Sequence, residues 1–418
     1  MMTLYTGELL ISPIPLELTL APCDHGCAYC FARLNFRHSG YTRANVTGIQ
    51  NLLATYHARD TLVAKLLRQG YPILLSNRTD PFAPANRKLI LPLLETLTAQ
   101  GIQIAFQTRG GALLRDALAI VEPSCWYISL TSDLPDLTRR IEPAAPPLAA
   151  RLATIDALIQ RGHSVNVGIN PYVPEWWRDA PGLLRELKAR GVHGIWTEFL
   201  HINYRQRDLM TPPERAALTD DLIALAMKRT PPQAWQNGRA RLRDDAQAAG
   251  LEVFSGGQGN RSDYFAPYQT YYRKTFPVMQ EFLNMCLDAR RDPHDVITFD
   301  EFWQWAAPYL PKGKYVGMGK YIGTVAHDFF WKTKVPDAMS YKQLMHIFWE
   351  HPEIGRHLAL SDGFAMPARW DDTEPAGWIV YVTQAWQRVV SCIPGASCYA
   401  PLEKARLRVR GEYEPDGV

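Results

Sequence analysis

Cys23-Asp24-His25-Gly26-Cys27-Ala28-Tyr29-Cys30 follows the apolar run Leu16–Leu20 after two residues, and this stretch decides the fold. A short strand-like run delivers three thiols into one tight loop. Three thiolates at this spacing can wrap one face of a cubane iron–sulfur cluster. The fourth iron is then left without a protein ligand and open to a small chelating molecule. Gly26 lets the loop turn tightly around the sulfurs. A zinc site would need a fourth ligand, and His25, inside the loop, is awkwardly placed to supply it. The chain has seven cysteines, the others being Cys125, Cys286, Cys392 and Cys398. An odd number spread over a long chain argues against a disulfide framework. The four outlying cysteines read as buried structural thiols.

Outward from this loop, short β-like runs alternate with longer helical ones. Strands are expected at Leu16–Leu20, Ile73–Ser76, Ile102–Gln107, Trp126–Thr131, Val165–Asn170, Ile195–Leu200 and Leu251–Phe254. Helical patterns lie between them at Gly48–Gln69, Lys88–Ala99, Arg151–Gln160, Pro181–Arg190 and Pro212–Met227. Strands alternating with helices imply a parallel sheet covered by helices. Six or seven such units predict an α/β fold, a partial (β/α)6-type barrel, with chemistry gathered at the C-terminal strand ends. The rhythm stops near residue 262. Helices are expected afterwards at Val278–Arg290, Phe299–Ala307, Ser340–His351 and Trp378–Val389. The division read from this is a core barrel over 1–264 and a largely helical accessory region over 265–418.

Composition narrows the class. The 418 residues are 47% apolar and 21% charged, ordinary for a globular protein. No stretch approaches the run of roughly 20 apolar residues that a membrane span needs. Residues 1–20 lack a basic start followed by a continuous apolar run, so no signal peptide is read and a cytoplasmic protein is expected. A net charge of +3 is too small to attract a polyanion by itself. Nucleic acid, if bound, would need a local groove.

With Tyr29 as the aromatic before the last cysteine, C-x3-C-x2-C resembles the signature of the radical S-adenosylmethionine superfamily. More narrowly, residues about 5–260 resemble its spore photolyase-like branch. The matching pieces are Ser76-Asn77-Arg78-Thr79-Asp80-Pro81-Phe82, Gln107-Thr108-Arg109, Ser129-Leu130-Thr131, Arg140-Ile141-Glu142-Pro143, Arg151 and Val167-Gly168-Ile169-Asn170-Pro171. The resemblance implies a partial barrel with a [4Fe–4S] cluster at its mouth. Cys23, Cys27 and Cys30 would be its ligands. S-adenosyl-L-methionine would chelate the free iron. One electron would break a carbon–sulfur bond, and the 5′-deoxyadenosyl radical would take a hydrogen atom from a substrate. The cofactor supplies the chemistry; the protein positions it and excludes water.

The co-substrate needs partners for an ammonium, a carboxylate and a ribose. Ser76, Asn77 and Asp80, just past a strand, suit the ammonium, or form an Asp-Pro turn. Arg109, Ser129 and Thr131 end the next two strands. Arg151 either pairs bidentately with the carboxylate or is a solvated charge at a helix start. Glu142 either bonds a ribose hydroxyl or caps a turn. Asn170 and Glu198 end later strands and would touch adenosine or substrate.

Spore photolyases repair a thymine lesion in DNA and carry an extra cysteine near the end of the second barrel strand. Here no cysteine lies between Tyr71 and Cys125. The expectation is therefore modification: hydrogen abstraction from a thymine-derived base in DNA, then rearrangement, of isomerase or lyase type. One form would be isomerisation of an amino-acid-bearing thymidine in phage-type DNA hypermodification. A peptide or small metabolite as substrate, or lesion repair, is the alternative. Lys312, Lys314, Tyr315, Lys320 and Tyr321 interleave with glycines in a way that suits phosphate contact with base stacking; the alternative is a solvated basic loop. An electron donor such as flavodoxin or ferredoxin is the other expected partner.

Overall fold

Val165, Val167 and Ile169 alternate with Asn166, Gly168 and Asn170 along one strand, and this period of two sorts the whole sheet. In the computed structural model the described residues are 3–5, 16–20, 23–32, 46–59, 62–75, 79–228, 231–255, 266–274 and 295–309. To these are added the strands at 314–316, 338–340, 366–369 and 378–381 and isolated residues between 282 and 346.

One sheet of eight strands runs in sequence order. They are β1 (Thr3–Tyr5), β2 (Leu16–Thr19), β3 (Ile73–Leu75), β4 (Ile104–Thr108), β5 (Cys125–Leu130), β6 (Ser164–Tyr172), β7 (Gly194–Phe199) and β8 (Glu252–Ser255). β1 lies antiparallel to β2, and every pair from β2 to β8 is parallel. The expected strands are therefore all present within one or two residues at their ends, and the parallel α/β barrel architecture is the observed one. β1 is additional; three residues carry too little pattern to be read.

One face of the sheet meets the helices. Ile73, Phe106, Trp126, Val167 and Ile195 are fully buried there, with Leu94, Ile155 and Leu187 from the surrounding helices. The Phe106 and Trp126 rings stack at 3.7 Å between centroids, with Phe82 beside them. The other face lines the barrel. Leu74, Ala105 and Cys125 pack there against Tyr268 and Tyr272 of the helix Ala266–Tyr272. The Tyr272 hydroxyl donates to Ile104 O at 2.5 Å and accepts from Cys125 N at 3.0 Å, so this helix seals the barrel at its N-terminal end. The division drawn between 264 and 265 thus falls between β8 and the helix that closes the barrel.

Helices depart from expectation in three places. Gly48–Gln69 is two helices, Val46–Thr55 and Leu62–Arg68, with a 3-10 turn between them. Pro212–Met227 is broken at Thr219, whose φ of 67° cannot continue a helix and whose hydroxyl caps the next one. The 16-residue helix Gln233–Ala248 was not legible, because it buries only Trp235, Gly238, Leu242 and Ala246. Among the described residues beyond 265 both helix and strand occur. Phe299–Ala306 is a helix opened by a Thr298/Glu301 capping box, and its Phe299 and Phe302 join the main core. Lys314–Val316 pairs with Ala338–Ser340, and Met366–Arg369 with Trp378–Tyr381, both antiparallel. Trp378–Tyr381 begins a segment expected to be helical. The run Trp-Ile-Val-Tyr is β-branched and aromatic, and it pairs as a strand.

Candidate active site

β2 ends at the C-terminal mouth of the barrel and the thiol loop follows it. Gly26 has φ 72°, the left-handed turn that the loop needs. Backbone bonds tie the loop to the segment after β5: Ala28 N donates to Ile141 O at 2.8 Å, and Ala144 N to His25 O at 3.0 Å. From the far side, Gln206 Nε2 donates to Tyr29 O at 2.7 Å. Cys27 is buried; Cys23 and Cys30 are half-buried, and all three are free thiols.

His25 is turned away from the sulfurs. Its Nδ1 lies 3.2 Å from Ala144 O, and its Nε2 lies 3.1 Å from Asp80 Oδ2. Both ring nitrogens thus lie beside protein oxygens, Nε2 without the geometry of a hydrogen bond, and the imidazole is not gathered with the cysteines into a single-ion site among the described residues. Among the described residues no group of three or more His, Cys, Asp or Glu is gathered to hold a single ion. The donor set fits a cubane with three protein ligands better than zinc, which would need a fourth. Burial pushes the Cys23 thiol up to about 11, with the nearby Asp80 charge adding to it, and burial raises Cys27 as well. Buried thiolates need a positive partner, and iron would supply one.

Asp80 is an organising group. Its Oδ1 accepts from Phe82 N at 2.9 Å and Thr108 Oγ1 at 2.7 Å, and its Oδ2 from Arg109 N at 2.7 Å. Burial disfavours its charge, but the His25 contact and these donors hold its carboxyl below the usual range. Its oxygens are filled by protein, so the expected contact with an ammonium is corrected: the sequence showed an acid at a strand end, not its four internal partners. Ser76 and Asn77 lie outside the described residues.

Glu142 forms a second hub. Its Oε1 accepts from Arg109 Nε at 3.0 Å, Thr131 Oγ1 at 2.7 Å and the Tyr29 hydroxyl, and its Oε2 accepts from Arg151 Nη2. Burial opposes its ionisation, yet Arg109 and Arg151 hold its carboxyl far below the usual range. Neither expected role, ribose contact or turn cap, describes a carboxylate filled in this way. Arg151 is also corrected. It is 2% exposed, and its guanidinium is spent on Pro146 O, Ser129 O and Glu142. It is neither a solvated charge nor free for a ligand. Its position in the helix Leu148–Gln160 turns it inward, against the carbonyl ends of the turn before the helix.

Arg109 differs. Its Nη2 donates to the Tyr29 hydroxyl at 2.9 Å, and its side chain keeps one-fifth of its surface exposed. It is the cation of this network that reaches solvent. Thr131 is buried within the network, and Ser129 donates to Asn170 O at 3.3 Å. Asn170 and Glu198 are present at the ends of β6 and β7. Glu198 is accessible to solvent yet ringed by protein. Burial raises its carboxyl, with Arg239 pulling the other way. Lys314 and Tyr315 lie in the strand Lys314–Val316, and Lys312, Lys320 and Tyr321 fall outside the described residues. His25 was weighed in the sequence only as a metal ligand, and its contact with Asp80 was missed. A histidine inside a three-cysteine loop was the available signal.

No family model matches the chain. An uncharacterised protein, ORF301, of Acidianus two-tailed virus is 24% identical over 196 residues, 43% of this chain. The match spans 64% of that relative's length. Among solved structures, spore photoproduct lyase complexed with dinucleoside spore photoproduct is similar at 13% identity and a TM-score of 0.41, covering 60% of this chain and 79% of that one. Streptococcus suis SuiB bound to S-adenosylmethionine is similar at 11% identity and a TM-score of 0.38, covering 61% and 48%. TYW1 with a lysine-pyruvate adduct bound is similar at 17% identity and a TM-score of 0.30, covering 50% and 72%. All three are radical S-adenosylmethionine enzymes.

Proposed function

We propose that this chain is a radical S-adenosylmethionine enzyme acting on a thymine-derived base in DNA. The observation that carries the first half is the thiol loop itself: three cysteines at the barrel mouth, with the one histidine among them committed to Asp80 and Ala144. When bound, the cluster would supply one electron to the sulfonium and so give the 5′-deoxyadenosyl radical that takes hydrogen from the substrate.

The chain's own residues hold and orient. Cys23, Cys27 and Cys30 would hold the cluster. Tyr29, fixed by Glu142 and Arg109, forms the wall between loop and sheet. Arg109, with its exposed edge, takes the co-substrate carboxylate that Arg151 cannot reach. The buried Glu142–Arg151 pair underneath keeps Arg109 from shifting. The DNA half rests on the residue resemblance in 5–260, and flavodoxin or ferredoxin is the class of reductant it implies. A base in duplex would have to be flipped out to reach the site.

The test is anaerobic reconstitution with iron and sulfide. The expected results are a four-iron cluster whose paramagnetic spectrum changes on adding S-adenosylmethionine, and 5′-deoxyadenosine on reduction. With deuterated thymine-modified DNA, deuterium should appear in that product. A spectrum indifferent to S-adenosylmethionine overturns the enzyme reading; product without deuterium from any DNA overturns the substrate.

A further inference from the structure

The barrel interior holds a second polar group that the cluster network does not use. β6 and β7 pair with Gly168 opposite Trp196 and Ile169 opposite Thr197; the register then shifts before Tyr172 meets Phe199, and Asn170 and Glu198 lie in that irregular stretch. Gly168 and Trp196 face the interior. A Cβ on Gly168 would stand 1.5 Å from the Tyr127 hydroxyl, and the Trp196 ring meets Tyr127 edge-on at 4.7 Å. The Asn170 side chain and the Glu198 charge both act on the Tyr127 hydroxyl, which places them on that same side. The Tyr127 hydroxyl is buried and has no hydrogen-bond partner of ordinary geometry among the described residues. Glu198 makes no ion pair or hydrogen bond among them either, although it is ringed by protein.

We propose that Asn170, Glu198 and Tyr127 form the seat for the substrate base, and that they read an imide edge. This rests on the nucleobase reading above and narrows it. The argument is an inventory of donors and acceptors. The ionised Glu198 only accepts; the Asn170 amide and the Tyr127 hydroxyl can each donate. An imide presents one N–H between two carbonyls and satisfies all three. Adenine presents an amino donor beside a ring nitrogen and leaves a donor unmet. A buried hydroxyl without a partner is costly in the empty site and is repaid by a ligand carbonyl.

The test uses the full chain, reconstituted anaerobically, and measures equilibrium binding of thymidine, N3-methylthymidine, deoxycytidine and S-adenosylmethionine. The unaltered chain should bind thymidine at least about tenfold more tightly than N3-methylthymidine, which lacks the N–H. Asn170→Asp replaces a donor by an acceptor, and should weaken thymidine about tenfold and narrow its preference over deoxycytidine. Equal binding of thymidine and its N3-methyl derivative, or no binding of either, overturns the proposal. So does an Asn170→Asp chain that loses S-adenosylmethionine while its thymidine-to-deoxycytidine ratio stands, since the pair would then read adenine. Formation of 5′-deoxyadenosine is scored separately. Imide discrimination without it sinks the enzyme reading and leaves this seat in place.

Discussion

His25 Nε2 stands 3.1 Å from Asp80 Oδ2, and this one contact joins the thiol loop to the ends of β3 and β4. Asp80 simultaneously receives Thr108 and the Arg109 backbone, so the loop's position and that of Arg109 are set by the same carboxylate. His25→Ala should loosen the loop without removing a ligand. The expected result is partial loss of iron on gel filtration and about 1–3 kcal/mol of stability lost in a urea titration. Cys27→Ala should abolish cluster binding. Equal and complete loss in both variants would mark His25 as a ligand after all.

Arg151 and Glu142 are a buried pair, and breaking one partner strands the other. Arg151→Met should cost about 3–5 kcal/mol in denaturant unfolding. Replacing both, Arg151→Met with Glu142→Gln, should recover part of that loss. A double variant worse than the sum of the singles would contradict this account.

His163 is held neutral. Its Nδ1 accepts from Ser124 N at 3.0 Å and Trp126 Nε1 at 3.2 Å, and burial, with Arg161 nearby, lowers its pKa to about 4. The unfolded chain would bind a proton near pH 6.5, the folded one only near 4. Stability from this group is complete above pH 6.5 and is lost as pH falls toward 4, by about 3 kcal/mol at most. Asp80 and Glu142, both depressed in the fold, withdraw their share lower, once pH drops through the ordinary carboxylate range. Unfolding free energy measured across pH 4–8 should therefore fall first with His163. Its substitution by Asn should flatten that first limb, and an unchanged limb would refute the assignment.

Gly168→Ala should disrupt the interior. The new carbon would sit 1.5 Å from the Tyr127 hydroxyl and 1.7 Å from its Cζ. Overpacking of this kind costs about 1–3 kcal/mol. Tyr127→Phe should give no rescue, because the ring carbon remains. Rescue by Phe would show that the hydroxyl alone sets the limit.

The parallel strands were legible because each is a run of apolar, often β-branched residues between helical patterns. The three-cysteine loop was legible from its spacing. What stayed hidden was direction. Arg151 and Asp80 look like mouth residues in sequence, but burial behind Ser129 and His25 turns both into internal partners. The helix Gln233–Ala248 escaped because Arg239, Arg241, Arg243, Asp244 and Asp245 crowd its open face and only a thin stripe is apolar. Tyr127 carried no mark, since its meaning lies in the missing side chain of Gly168 one strand away.

Tyr268 and Tyr272 stopper the lower end of the barrel, which makes it a cul-de-sac. A molecule held at the upper mouth is walled off from below by these two rings. A chain trimmed ahead of Ala266 would leave Leu74 and Cys125 bare to water from below and let solvent up the shaft.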